Sequence, residues 1–193
     1  MSDSILSLVI FLPLIGALLV SLVPRHSTET VRRISFLTTL VTFLISLYLY
    51  FNFDSSTDAY QFIVQKNWIK SLGITYYLGL DGISLFLILL TTFLGPLIIL
   101  STWTAVTEKV KGFMISMLIL ETALLGVFAA LDLFLFYVFW EGMLIPMYFI
   151  IGIWGGYVIC VHKLHINHEM FWKMVFNALG MKDIVTGLVK TIF

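Results

Sequence analysis

The stretch Leu133-Phe-Leu-Phe-Tyr-Val-Phe-Trp-Glu-Gly-Met-Leu-Ile-Pro-Met-Tyr-Phe-Ile-Ile-Gly-Ile153 holds one carboxylic acid and no basic residue in 21 positions. A helix of that length rises about 30 Å, which matches the hydrocarbon core of a bilayer. Lipid offers no partner to an unpaired backbone amide, so a run of this kind crosses as a helix. Four other runs read the same way. Ile5–Val23, Ile34–Phe53 and Ile83–Trp103 carry no charge, and Phe113–Leu131 carries only Glu121. The fold class is therefore an all-α membrane protein with about five transmembrane helices. Gly95-Pro96 falls near the middle of the third span and should kink it, because proline removes a backbone donor.

Composition agrees. Of 193 residues, 60% are hydrophobic and 11% charged, against about 45–50% and about 25% in soluble domains. That leaves too little polar surface for a soluble globule, and it excludes soluble enzymes, disordered tails and nucleic-acid binders. Eleven basic and eleven acidic residues cancel, so no basic field draws phosphate. A single cysteine, Cys160, excludes an internal disulfide framework. The first run is preceded by Asp3 and followed by Pro24-Arg25 rather than by a small-residue cleavage site, so it reads as a retained span and not a signal peptide.

Lys and Arg set the orientation. Arg25, Arg32 and Arg33 follow the first span, and Lys109 and Lys111 follow the third. The opposite side has Lys66 and Lys70 among Asp54, Asp58 and Asp81, and no base at the Asp132 turn. Five against two puts the N-terminus outside and the Arg25–Arg33 loop inside. In the outer loop Tyr60–Val64 and Ile74–Leu78 are short β-prone runs separated by Asn67 and Gly73, which suits a small hairpin.

Two acids lie inside spans, Glu121 and Glu141. A charge at mid-bilayer costs about 2.5–3.5 kcal/mol on insertion scales, so such acids mark proton or ion routes or bond a neighbouring helix. For Glu121 both readings stand, with no kink or polar stripe expected beside it. Glu141 reads as a proton relay. Pro146 frees the carbonyl of Gly142, Gly142 admits a water or a helix, and Tyr137 and Tyr148 share the face of Glu141. The aromatic run Phe134, Phe136, Tyr137, Phe139 and Trp140 reads as packing and interface anchoring. Cys160, His162, His165, His168 and Glu169 read as a solvated segment, so no metal is expected. No nucleotide motif occurs, and no cofactor is expected in this chain.

Phe136-Tyr-Val-Phe-Trp-Glu-Gly-Met-Leu-Ile-Pro-Met-Tyr-Phe-Ile-Ile-Gly-Ile-Trp-Gly155 resembles the fifth helix of chain M of proton-pumping NADH–quinone oxidoreductase, respiratory complex I, whose mitochondrial counterpart is chain 4. Gly79-Leu-Asp-Gly-Ile-Ser84, Leu120-Glu-Thr122 and Gly126-Val-Phe128 agree in order and spacing. The resemblance covers about residues 1–156 and implies an antiporter-like subunit that moves protons while other subunits use NADH and quinone. It also implies that Glu141 works with a lysine on a later, broken helix absent from this sequence. Its implied partners are the other complex I membrane subunits and the lipid bilayer. The implied site is a bacterial plasma membrane, with the mitochondrial inner membrane as alternative. Family members are far longer, so the chain reads as an N-terminal fragment without a complete proton path. Residues 157–193 match none of the family pattern and read as a divergent tail on the inner surface, with Lys163, Lys173, Lys182 and Lys190. The alternatives are a subunit of a multisubunit cation/proton antiporter and a non-functional truncated product.

Overall fold

A computed structural model describes residues 5–155 apart from 25, 58 and 70–73. The Tyr157–Phe193 tail, with Cys160 and the three histidines that follow it, lies outside the described residues. The chain divides into two units, Met1–Met147 and Tyr148–Phe193.

The first unit contains α1 (Ile5–Leu22), α2 (Thr28–Phe51), β1 (Gln61–Ile69), β2 (Ile74–Leu80), α3 (Gly82–Ala105), α4 (Val110–Ala129) and most of α5 (Leu133–Phe149). With the continuation to Gly155, five helices among the described residues are long and apolar enough to cross a membrane. This is an integral multi-pass membrane protein. The described part of the second unit is the end of α5 and a π-helical segment, Ile150–Gly155, where the Tyr148 and Phe149 rings meet edge-on at 5.5 Å.

Two helices begin earlier than the apolar runs. α2 starts at Thr28, so Arg32 and Arg33 lie on its first turns and not in a loop, and Lys111 lies on the first turn of α4. Glu and Arg are good helix formers, and a helix end beyond the hydrocarbon tolerates them. These cations also close other helices. Arg32 Nη2 donates to Val106 O at the end of α3 (2.9 Å), and Lys111 Nζ donates to Ser21 O and Val23 O at the end of α1 (2.7 Å each). A helix C-terminus leaves four carbonyls without partners and carries partial negative charge, so a cation there satisfies both needs. The bonds bring the end of α1, the start of α2, the end of α3 and the start of α4 to one end of the bundle. α3 is continuous through Pro96.

The hairpin forms at the other end, with longer strands than the sequence indicates. β1 and β2 pair antiparallel, and Asn67 sits in β1 opposite Thr75, inside the ladder and not in the turn. The pairing slips between Gln61 and Val64, where Phe62 has φ 52°. Such an irregularity bends and twists a strand. Asp132 fastens the hairpin to the helices. Its Oδ1 accepts from the amides of Phe134 (2.9 Å) and Leu135 (3.1 Å), capping α5, while Oδ2 accepts from Thr75 Oγ1 (3.1 Å). Leu131 N donates to Tyr77 O (2.9 Å) beside it. Asp81 caps α3 in the same way through Ser84 N (2.7 Å). The apolar core lies just beneath: Leu6, Val9 and Ile10 of α1, Leu49 of α2, Leu78 and Leu80 of β2, Leu85 and Ile88 of α3, and Leu125 and Ala129 of α4.

The buried face of α2 is unusual. It consists of Val31, Ser35, Thr39, Thr42, Ser46 and Leu49, so four of its six positions are hydroxyls. Each hydroxyl donates to a carbonyl three or four residues earlier in α2, which satisfies it without a partner helix. Small side chains let helices approach closely where lipid supplies no hydrophobic drive between them. A Cβ at Gly16 of α1 would overlap Thr38 on α2. Leucines and phenylalanines such as Leu37, Leu44, Phe86 and Leu90 point outward, as lipid requires.

Two outcomes follow. Cysteines at Ser27 and Ser56, at opposite ends of α2, should be labelled by an impermeant maleimide from opposite sides of the membrane. The Asp132 amide bonds, those from Leu135 first, hold its carboxyl below the usual carboxylate range. A depressed folded value gives stability that is present above the unfolded value of about 4 and is lost as pH falls through the folded one. Protection of the Thr75 and Leu135 amides from hydrogen exchange, taken relative to the free-chain rate at each pH, should therefore be high at neutral pH and fall in acid. In Asp132→Ala it should be low throughout.

Candidate functional site

The two intramembrane acids occupy different environments. Glu141 lies on α5, the least buried span, on which only Leu135 and Pro146 are buried. Besides the Asp132 cap, Phe139 positions this helix. Its ring lies against Gly126 of α4, where a Cβ would overlap it, and 6.4 Å from the Phe11 ring of α1. Glu141 is half-buried. The hydroxyl of Tyr137, one turn earlier on the same face, is the polar group near the Glu141 carboxylate. A Cβ at Gly142 would meet nothing within 4 Å, which leaves open space beside the acid. Pro146 is buried within the helix. Tyr148 belongs to the second unit. Phe136 and Trp140 stack at 5.9 Å, and Phe134 meets Trp68 of β1 edge-on at 6.2 Å.

Glu121 is enclosed, with 6% of its surface exposed. It lines a cavity of about 130 Å³ with Thr39 of α2, Thr91, Gly95, Ile98 and Ile99 of α3, and Met117 of α4. No residue of α5 contributes to that lining. The Glu121 carboxyl faces Gly95, where an added Cβ would stand 3.0 Å from Oε1. Oε1 has no hydrogen-bond partner. The sequence reading gave this acid no kink or polar stripe of its own; the residues that line the cavity with it, Thr39, Thr91 and Gly95, come from α2 and α3. The signal was present as Ser35, Thr39, Thr42 and Ser46, hydroxyls at i, i+4, i+7 and i+11 of an uncharged span. Farther along the same face of α2, Ser46 shares a hydrogen bond of 2.8 Å with Thr92 of α3. Among the described residues no group of three or more His, Cys, Asp or Glu converges as a metal site would require.

Five apolar helices, two intramembrane carboxyls and no nucleotide motif define a multi-pass membrane protein with candidate ion- or proton-handling acids. Known proteins narrow this. The chain is 44% identical to NADH-ubiquinone oxidoreductase chain 4 of Marchantia polymorpha over 91% of its own length and 35% of that protein. It is 47% identical to NADH-quinone oxidoreductase subunit M of Rhodobacter capsulatus over 80% of its length and 30% of that protein. It is 39% identical to F(420)H(2) dehydrogenase subunit M of Methanosarcina mazei over 96% of its length and 36% of that protein. The chain is thus a homologue of the subunit M and chain 4 proteins, and it spans about a third of their length. A match over 96% of 193 residues extends past residue 156, where the sequence reading ended the resemblance. A family described as permease MlaE also matches, over residues 137–193.

The seat of Phe139 on Gly126 makes a specific expectation. Gly126→Ala should displace the ring and loosen α5 from α4, costing about 1–3 kcal/mol by overpacking. Denaturation in mild detergent should show it, together with faster hydrogen exchange in α5 than in α4.

Proposed function

We propose that the chain is the membrane-arm part of a proton-pumping NADH–quinone oxidoreductase, in which Glu141 takes up and releases a proton as electrons pass through other subunits. The observation that carries this is the set of relatives, 35–47% identical over about 80–96% of the chain and named as subunit M or chain 4. The placement of Glu141 supports it. A carboxylate near mid-span, with a tyrosine hydroxyl one turn away and open space at Gly142, has a nearby polar group on one side and room for a second partner on the other. Burial disfavours its ionised form and a neighbouring cation favours it, so a moving partner would load and unload the proton.

The relatives' names also differ in a useful way. Most of the names give NADH as donor and one gives F(420)H(2), while the subunit letter M stays the same between the Rhodobacter capsulatus and Methanosarcina mazei proteins. A part shared by complexes with different donors has no need to recognise the donor. This supports placing the redox chemistry, with its NADH and quinone, on other subunits. The relatives' names favour the pump over a cation/proton antiporter subunit. Glu121 is the second acid of this reading. The resemblance supplies the remaining partner, a lysine on a later helix of full-length family members. The membrane is the bacterial plasma membrane in this reading, or the mitochondrial inner membrane.

Glutamine keeps the shape and hydrogen-bonding capacity of Glu141 but cannot ionise. In a full-length relative carrying this segment, Glu141→Gln should leave assembly intact and lower coupled proton pumping by about tenfold or more, the scale of a lost proton-transfer group. Normal assembly with unimpaired pumping would reduce the residue to packing.

A further inference from the structure

Among the described residues, two buried side-chain atoms lack a hydrogen-bond partner: Glu121 Oε1 and Arg32 Nε. Buried polar atoms are nearly always paired, and water supplies the bond where protein does not. Arg32 sits at the end of the bundle beside the last carbonyl of α3, and Glu121 faces the middle of α3. Thr39 and Glu121 line the same cavity of about 130 Å³. A liquid water occupies about 30 Å³, so the cavity has room for a short cluster.

The chemistry of the lining suits water better than a metal cation. Thr39 Oγ1 donates to Phe36 O (3.0 Å) and Thr91 Oγ1 donates to Leu87 O (2.8 Å). Their protons are spent on the backbone, and their lone pairs remain as acceptors. A water can donate to either hydroxyl and exchange a hydrogen bond with the Glu121 carboxyl. A bare cation would instead need several more oxygens, and the rest of the lining is Leu, Ile and Met with Gly95.

We propose that the Glu121–Thr39–Thr91 cavity is a water-binding site, making Glu121 a proton-exchanging group separate from Glu141. The inference deepens the proton-transfer reading. Its test measures hydration rather than pumping, so it can fail while the reading of Glu141 stands, and the reverse.

The test is infrared spectroscopy of the whole 193-residue chain in lipid nanodiscs. A carbonyl band of a protonated carboxyl should vanish in Glu121→Gln and persist in Glu141→Gln. On dilution into D₂O that band should shift within seconds. Thr39→Val keeps the shape and removes the acceptor, and it should slow the shift about tenfold. Thr39→Ser restores the hydroxyl and should restore the rate, which separates loss of the water contact from misfolding. Gly95→Ala, which sets a methyl against Oε1, should move the band itself. The proposal is overturned if no band depends on Glu121, or if exchange takes hours. It is equally overturned if Thr39→Val exchanges like the parent, or if NaCl at fixed pH moves the band as a bound cation would.

Discussion

Hydrocarbon supplies no hydrogen bonds, and every polar arrangement in this chain answers to that fact. The backbone satisfies itself within five helices, and the residual demand collects at helix ends and at the few polar side chains inside. Arg32 and Lys111 meet it at one end by reaching from the first turns of α2 and α4 to the last carbonyls of α3 and α1. Their role in the bundle is therefore structural as well as topological. A basic residue after a span biases orientation, and here the same residue also closes a helix that is not its neighbour in the chain.

At the opposite end the demand is met by aspartates and strands. Asp81 and Asp132 cap α3 and α5, and Asp132 also holds Thr75 of the hairpin. One carboxylate thus fixes where α5 begins and how the hairpin lies over the core of Leu6, Leu78, Leu85 and Leu125. Since α5 buries few residues of its own, this cap and the Phe139–Gly126 contact carry much of its placement, and with it the placement of Glu141.

The two acids differ in the way their demand is met. Glu141 has the Tyr137 hydroxyl one turn away and open space beside Gly142, so a partner can come and go. Glu121 is enclosed by α2 and α3, with one oxygen unpartnered and hydroxyl acceptors across a small cavity. The first arrangement suits exchange with a moving group, the second exchange with confined water.

The sequence by itself determined the class, the number of spans, the hairpin and the two intramembrane acids. Apolar run length, charge placement and strand-prone runs are local properties that a bilayer converts directly into structure. It also marked Tyr137 beside Glu141, because i and i+4 share a helical face whatever surrounds them. It did not show the company of Glu121. Thr39, Thr91 and Gly95 stand 82, 30 and 26 residues away in the chain, and only the packing of α2 and α3 against α4 brings them to one cavity. Nor did it show that Lys111 closes α1, 88 to 90 residues earlier, or that Asp132 bonds Thr75 across 57. Periodicity reports which face a residue occupies. Which helix lies against that face is decided by close packing among several helices at once, and that has no one-dimensional signature.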